Sequence, residues 1–170
     1  MYFQNFPDID YDVTGNGTTT KIKDIITRVA IRNEVRNRDS LFAKHNVKEG
    51  ETPESVAYDY YGNANYHWIV LMMNKIDNRY YGWPLSERNL QAYVNDTYAD
   101  PDATHHYEAA QTSGDTTIML RVESDFPSAS AVTNIQYERT LNDSRKQIKL
   151  LNKNFVGQFV SNFNALLQEV

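Results

Sequence analysis

The sequence predicts an α+β fold in which a strand and two helices form a core, with a β-hairpin on either side in the chain and an amphipathic helix at the C-terminus. Three observations predict it. Two segments in which apolar and polar residues alternate each contain a glycine turn. Residues 41–85 carry the start and end signals of consecutive helices, and residues 153–170 repeat apolar side chains at helical spacing. The predicted parts are a hairpin and arm at 1–40, the core at 41–85, a helix and hairpin at 86–135, and a connector with the amphipathic helix at 136–170.

The first hairpin is predicted from the sequence DIDYDV at residues 8–13, in which apolar residues alternate with aspartates. Asn16-Gly17 supplies a two-residue turn signal. The spacing does not match a calcium loop, because Val13 and Thr19 occupy the positions that need Gly and Glu. A turn centred on Asn16-Gly17 gives the expected cross-strand pairs Asp12–Lys21, Tyr11–Ile22 and Asp10–Lys23.

Residues 24–38 do not predict one kind of structure, because their apolar side chains fit neither the helical nor the strand period. The segment also carries four arginines. They could bind an acidic partner or form a solvated face, and the second interpretation is favoured. They are Arg28, Arg32, Arg36 and Arg38.

The core is predicted as a strand at 41–47 followed by two helices. Thr52 is placed to cap the first helix, with Pro53 at its first position and Gly62 at its end. Six consecutive apolar residues at 68–73 leave the second helix without a polar face. We therefore expect that helix to be buried on nearly all sides, by its own domain or by a neighbour.

A third helix and a second hairpin follow the core. Ser86 is placed to cap the helix. A turn at Gly114-Asp115 predicts that Glu108 lies opposite Arg121 in the hairpin. Residues 124–134 are rich in Ser, Ala and Pro and are expected to form an exposed connector, before a polar helix or turn near 137–145.

The C-terminal helix has an apolar stripe within an arc of about 140°. Its polar face carries amides and a serine, with Glu169 as its only charge, so a partner can cover it without burying a charged group. The stripe could pack on the protein's own hairpins, but we favour an assembly role. We therefore expect a chain that ends at Leu150 to fold cooperatively but to lose binding to its partners. The stripe is Phe155, Val156, Phe159, Val160, Phe163, Leu166 and Leu167.

Composition excludes several classes of function. The chain has 170 residues, no cysteine, and 17 Lys and Arg against 22 Asp and Glu, for a net charge of −5. The acidic balance argues against nucleic acid as a partner. The lack of cysteine fits a protein made and used in a reducing cytoplasm, and the start has no signal-peptide pattern. The longest apolar run, 68–73, is too short to span a membrane.

The best candidate for chemistry is the sequence His105-His106-Tyr107-Glu108. A catalytic zinc needs three ligands, and no third ligand stands at a recognisable spacing. No glycine-rich phosphate loop or nucleophile elbow occurs either. We predict that the protein is not an enzyme and needs no cofactor or metal.

The core sequence resembles a LysM module, a fold found on proteins that bind cell-wall sugars. The matching positions are Gly50-Glu51-Thr52, Val56-Ala57, Tyr61-Gly62 and Asn74. A sugar-binding LysM module continues with a glycine-containing return strand, whereas this chain runs IDNRYYGWPLS. We therefore expect the return strand to be missing.

The chain carries three blocks in this order: ETPESVAYDYYGNANYHWIVLMMN, YYGWPLS and YERTLNDSRKQIKLL. Together they resemble the LysM-like baseplate wedge subunit of contractile-tailed, T-even-type bacteriophages. This resemblance implies a structural protein of the virion tail baseplate that clamps other wedge proteins and helps to join six wedges into a ring around the hub. Its implied partners are wedge proteins and the tail hub, with six copies or a multiple of six. A sugar-binding peptidoglycan accessory module is the alternative.

Two sets of residues are the predicted partner-binding sites. Tyr80, Tyr81 and Trp83 form a short aromatic segment that a small core is not expected to bury alone. If Trp83 anchors a partner, its replacement by Ala weakens binding by about 2 kcal/mol or more and changes the melting of the isolated protein little. If Trp83 instead caps the core, the same change lowers the melting temperature sharply. The second set lies on the C-terminal helix and consists of Phe155, Phe159, Phe163, Leu166 and Leu167.

Overall fold

The computed structural model describes residues 6–26 and 29–168, and it confirms the predicted α+β class. The strands are β1 (Asp8–Tyr11), β2 (Thr20–Lys23), β3 (Phe42–Asn46), β4 (Thr104–Ala110), β5 (Met119–Val122), β6 (Ser130–Thr133) and β7 (Gln147–Leu151). The α-helices are α1 (Asn33–Arg36), α2 (Pro53–Tyr61), α3 (His67–Met73), α4 (Arg79–Gly82), α5 (Glu87–Thr97), α6 (Asn134–Ser144) and α7 (Lys153–Gln168).

The chain divides into two compact units. The second unit consists of Val47–Gly50 and Tyr80–Gln147, so in sequence it interrupts the first. The predicted limits at residues 40, 85 and 135 do not coincide with this division. The first unit takes its described residues from Met1–Asn46, Glu51–Arg79 and Ile148–Val170.

The first hairpin forms, but its predicted register is wrong by two residues. Asp10, rather than Asp12, lies opposite Lys21. Asp12 instead holds the loop: its carboxylate accepts the Gly17 N–H over 2.6 Å and the Gly15 N–H over 2.7 Å. These bonds, with that of Gly17 contributing most, hold the pKa of Asp12 below its ordinary value. The side chain thus replaces the expected two-residue turn with a wider loop.

The predicted ends of α2 are confirmed. Thr52 Oγ1 accepts the Ser55 N–H over 3.2 Å, which satisfies one of the free donors at the start of the helix. Gly62 ends the helix with φ = 76°, a left-handed conformation that glycine adopts without steric strain. Val56 and Ala57 are buried, as their spacing predicts.

The segment after α3 contains α4 and no strand, as IDNRYYGWPLS predicts, and β3 pairs instead with the later strand β7. Asn74, which follows α3, fixes β7 through both sides of its amide. Its Oδ1 accepts the Lys149 N–H and its Nδ2 donates to the Lys149 carbonyl, both over 2.8 Å. Within the first unit, β3 and β7 therefore pair, with α2 and α3 between them in the sequence.

α7 packs on α3 of the same chain. Val156 belongs to a buried cluster with Ile69 and Met73, and Phe163 lies 4.7 Å from Trp68 between ring centroids. The buried side of α3 that required a neighbour is thus covered by the protein's own C-terminal helix. Phe163 and Leu167 also form a buried cluster with Phe6, which lies two residues before β1.

The second unit contains the sheet β5-β4-β6, and its helices α5 and α6 pack on each other. The predicted pairing of Glu108 with Arg121 is confirmed. The prediction of an exposed connector at 124–134 is wrong at its end, because β6 pairs with β4. Asn142 of α6 is buried and bonds Leu85 twice, accepting its N–H over 2.7 Å and donating to its carbonyl over 2.9 Å.

Candidate assembly surfaces

The aromatic segment at α4 separates into exposed and buried side chains. Tyr80 and Tyr81 are 76% and 73% exposed, whereas Trp83 is 6% exposed. The sequence could not distinguish them, because all three lie in one short polar and aromatic stretch. The burial of Trp83 contradicts the expectation that its ring is available to a partner in the isolated chain, and it favours a role within the fold.

A groove in the second unit adjoins the two exposed tyrosines. Its volume is about 200 Å³, below the range of roughly 300–1,000 Å³ that is typical of small-molecule sites. Glu138 at the groove accepts the Tyr98 hydroxyl hydrogen over 2.8 Å. The groove is therefore suited to a protruding side chain of a protein better than to a small ligand. Its lining residues are Tyr80, Tyr81, Leu85, Asn89, Leu90, Tyr93, Glu138, Asn142 and Arg145.

The C-terminal site residues also separate into two groups. Phe163 and Leu167 are buried among residues of the first unit, so in this chain they are not open to a partner. Phe155 and Leu166 are exposed, and Phe159 is half-buried against Trp68. Of the five predicted residues on α7, only the exposed pair and the edge of Phe159 remain as an outer apolar surface.

The histidine sequence forms a chain of hydrogen bonds. His106 Nε2 lies 2.8 Å from Glu108 Oε1, and because a carboxylate accepts, this nitrogen carries the proton. Nδ1 of a neutral His106 is then an acceptor, and His105 Nδ1 donates to it over 2.8 Å. The His105 ring stacks on Tyr137 with centroids 3.9 Å apart. The arrangement connects β4 to α6, and His106 is buried.

The tip of the second hairpin is an apolar surface that the sequence analysis missed. Ile118, Met119 and Leu120 are all about half-exposed, and Phe126 after β5 is as well. Successive residues of a strand point to opposite faces, so three apolar residues in a row place apolar side chains on both. That run, TIML in the sequence, was the available signal, because a half-buried strand normally alternates.

Comparison with protein families gives one finding that decides the class of protein. The sequence model described as base plate wedge protein 53 matches residues 1–113, which is about two thirds of the chain. The chain belongs to this family of phage proteins. No curated protein sequence matches it.

As a base plate wedge protein, the chain is a structural component of the virion tail base plate. The matched residues run from the first hairpin to the end of β4 and include Tyr80, Tyr81 and Trp83. They stop before β5, so the hairpin tip and α7 lie beyond them.

Two further observations concern other functional classes. Within residues 6–26 and 29–168, no group of three or more His, Cys, Asp or Glu side chains is placed to hold a metal ion. None of the helices in the described parts of the chain has the length and hydropathy that a membrane span requires.

Proposed function

We propose that this base plate wedge protein clamps neighbouring wedge proteins and helps to join wedges into the hexameric base plate around the hub. The main observation that supports this proposal is that Tyr80 and Tyr81 are exposed beside a groove. The proteins of this family are components of the base plate, which is an assembly. Tyrosine contributes a large apolar ring and a hydroxyl group, which is why it is enriched in protein interfaces. Six copies, or a multiple of six, follow from the proposed ring.

α7 supplies the second proposed contact. Phe155 and Leu166 are exposed on the helix, and the neighbouring exposed positions are neutral polar residues such as Gln158 and Asn162. A partner can cover neutral amides if it bonds them, without the larger penalty of burying a charge. The helix therefore serves two purposes in this proposal, core packing through one part of its stripe and partner contact through the rest.

Replacing both Tyr80 and Tyr81 by Ser is expected to weaken binding to the neighbouring wedge proteins by about 2 kcal/mol or more, or about thirtyfold. The thermal transition is expected to change little, because both side chains are more than two thirds exposed. Binding is measured by co-expression with the adjacent tail genes, size-exclusion chromatography and titration of the purified partner.

The matched control is Tyr58→Ser, which removes another exposed tyrosine from helix α2. It should bind partners as the unmodified chain does. Equal affinity of the double variant and this control would rule out the tyrosine pair as a partner site. A sharply lowered melting temperature of the double variant would instead assign the pair to the fold.

Sugar binding by a LysM-like core is the alternative function, and one observation favours it. β3 pairs with a second strand, β7, although α4 occupies the usual position of the return strand after α3. We still expect no saturable binding of N-acetylglucosamine oligomers in the millimolar range or tighter, because the family is one of base plate wedge proteins. Isothermal titration calorimetry tests this, and a saturating curve with a defined stoichiometry would favour the alternative.

A further inference from the structure

β5 has a free hydrogen-bonding edge. It is the outer strand of the sheet β5-β4-β6, and among residues 6–26 and 29–168 it pairs only with β4. The Gln111 N–H donates to the Ile118 carbonyl over 2.9 Å, which directs this pair across the ladder, while the Ile118 N–H donates within the loop to the Asp115 carbonyl over 3.2 Å. Hydrogen-bonded pairs alternate along such a ladder, so Leu120 bonds towards β4, whereas the N–H and C=O groups of Met119 and Arg121 point to the open edge.

This edge has only part of the usual protection against another strand. Edge strands are commonly guarded by short length, charged side chains, proline or a bulge. β5 is four residues long and carries one charge, Arg121, but it has no lysine or proline, and its register with β4 runs without a shift from Met119 to Val122. The side chains of Met119 and Leu120 are about half-exposed on opposite faces of the strand.

We propose that β5 binds an extended segment of a neighbouring base plate protein, which adds a fourth strand to this sheet. The proposal rests on the proposed assembly function and specifies the partner's form. A strand is the occupant that these observations favour, since an extended backbone pairs with the outward N–H and C=O groups of Met119 and Arg121 together. A helix could cover the apolar side chains, but its own main-chain groups are already bonded within it.

Charge specifies the segment further. Arg121 is the only charged residue of β5. Glu108 lies opposite it on β4, but its Oε1 is 2.8 Å from His106 Nε2. An acidic side chain on the added strand, next to Arg121, complements the guanidinium, and apolar side chains complement Met119 and Leu120. The expected partner segment is therefore extended, apolar and acidic at one position.

Amide-resolved hydrogen exchange of the full chain, with and without its purified wedge partner, tests the proposal. In the complex, exchange at the Met119 and Arg121 amides is expected to slow at least about tenfold, because both gain a main-chain bond. The Leu120 and Val122 amides, which face β4, are expected to be protected in both states. Side-chain contact alone would not produce this alternation.

A pair of variants at one position supplies the second measurement. Met119→Pro removes an outward N–H and leaves the bonds to β4 in place, whereas Met119→Ala shortens the side chain and keeps the N–H. We expect the proline variant to bind the partner about tenfold more weakly than the alanine variant, with similar melting temperatures. If the proline variant unfolds, the exchange pattern decides.

The outcomes separate this proposal from the proposed function. A complex in which the Met119 and Arg121 amides exchange as in the free chain overturns strand addition and leaves the assembly function standing. Failure of the full chain to bind any wedge protein overturns both. Concentration-dependent protection of the two amides in the isolated chain would assign the edge to a second copy, and the proposed occupant would be wrong.

Discussion

A chain that ends at Leu150 is expected to lose the cooperative thermal transition of the first unit. The deletion removes α7, whose Val156, Phe163 and Leu167 are buried in the same chain. It also uncovers Trp68 and Ile69 of α3, which pack against that helix. This expectation replaces the sequence-based one, in which the truncated chain folds and fails only to assemble.

The magnitude decides between the two expectations. Full burial of one Val, Leu or Phe side chain contributes roughly 1.5–3 kcal/mol, so the three buried side chains together contribute about 5–9 kcal/mol. The whole stability of a typical protein is about 5–15 kcal/mol. Loss of α7 therefore removes a large part of the free energy of unfolding expected for the first unit. Circular dichroism during heating should show a broad transition or none.

The control alters the exposed side of the same helix. A Phe155→Ser/Leu166→Ser variant should keep a cooperative transition, because both residues are exposed, and should no longer co-elute with wedge partners. If the truncated chain melts cooperatively near the temperature of the full chain, α7 is not part of the core. If the double variant folds and still co-elutes, the exposed part of α7 is not a partner surface.

The sequence predicted both α3 and α7 but not their contact. Periodicity identifies which side of a helix is apolar, and it does not identify what covers that side. The apolar run at 68–73 predicted a helix buried on nearly all sides, and the stripe of α7 predicted a helix with one apolar side to bury. In the structure these surfaces bury each other: the Trp68 ring lies near Phe159 and Phe163, at 5.8 and 4.7 Å between ring centroids. Considering the two helices together would have favoured this packing.

The two hairpins differ in how well local rules predict them. The turn at Gly114-Asp115 sits at the centre of the second hairpin, and the register of Glu108 with Arg121 follows from it. In the first hairpin, the Asp12 carboxylate binds the backbone N–H groups of the loop, which moves the strand ends outward. Such side-chain bonds compete with the standard turn, and a propensity for Asn-Gly does not include them.

The pairing of β3 with β7 was beyond local rules altogether. β3 ends at Asn46, and the whole second unit comes before Ile148 in the sequence, together with the first-unit segment Glu51–Arg79. QIKLL has no feature that selects β3 as its partner. Asn74 offers a clue only in retrospect, since an amide at the end of a buried helix needs partners, and it finds them on Lys149 of β7.

Replacing Trp83 by Ala is expected to lower the stability of the second unit sharply. The ring is 6% exposed, so the change removes a large buried side chain and leaves a cavity, at a cost of about 3–5 kcal/mol. The backbone two residues later is held by Asn142, whose amide bonds both the N–H and the carbonyl of Leu85. These two hydrogen bonds limit how far the segment can move to fill the cavity.

The measurement is the melting temperature of the isolated chain, where a loss of this size corresponds to a shift on the order of 10 °C for a protein of this length. Tyr81→Ala is the matched control, because it removes an aromatic ring two residues away that is 73% exposed. It should change the melting temperature little and weaken partner binding. Trp83→Ala should do the reverse when binding is compared below the melting temperature of both variants.

The comparison distinguishes a core residue from an interface anchor. If Trp83→Ala melts as the unmodified chain does and loses partner binding, Trp83 is the anchor that the sequence predicted, and its ring turns outward in the base plate. If both variants melt alike and bind alike, neither ring carries the proposed contact. A lowered melting temperature for Trp83→Ala alone, with weakened binding for Tyr81→Ala alone, assigns stability to the buried ring and recognition to the exposed one.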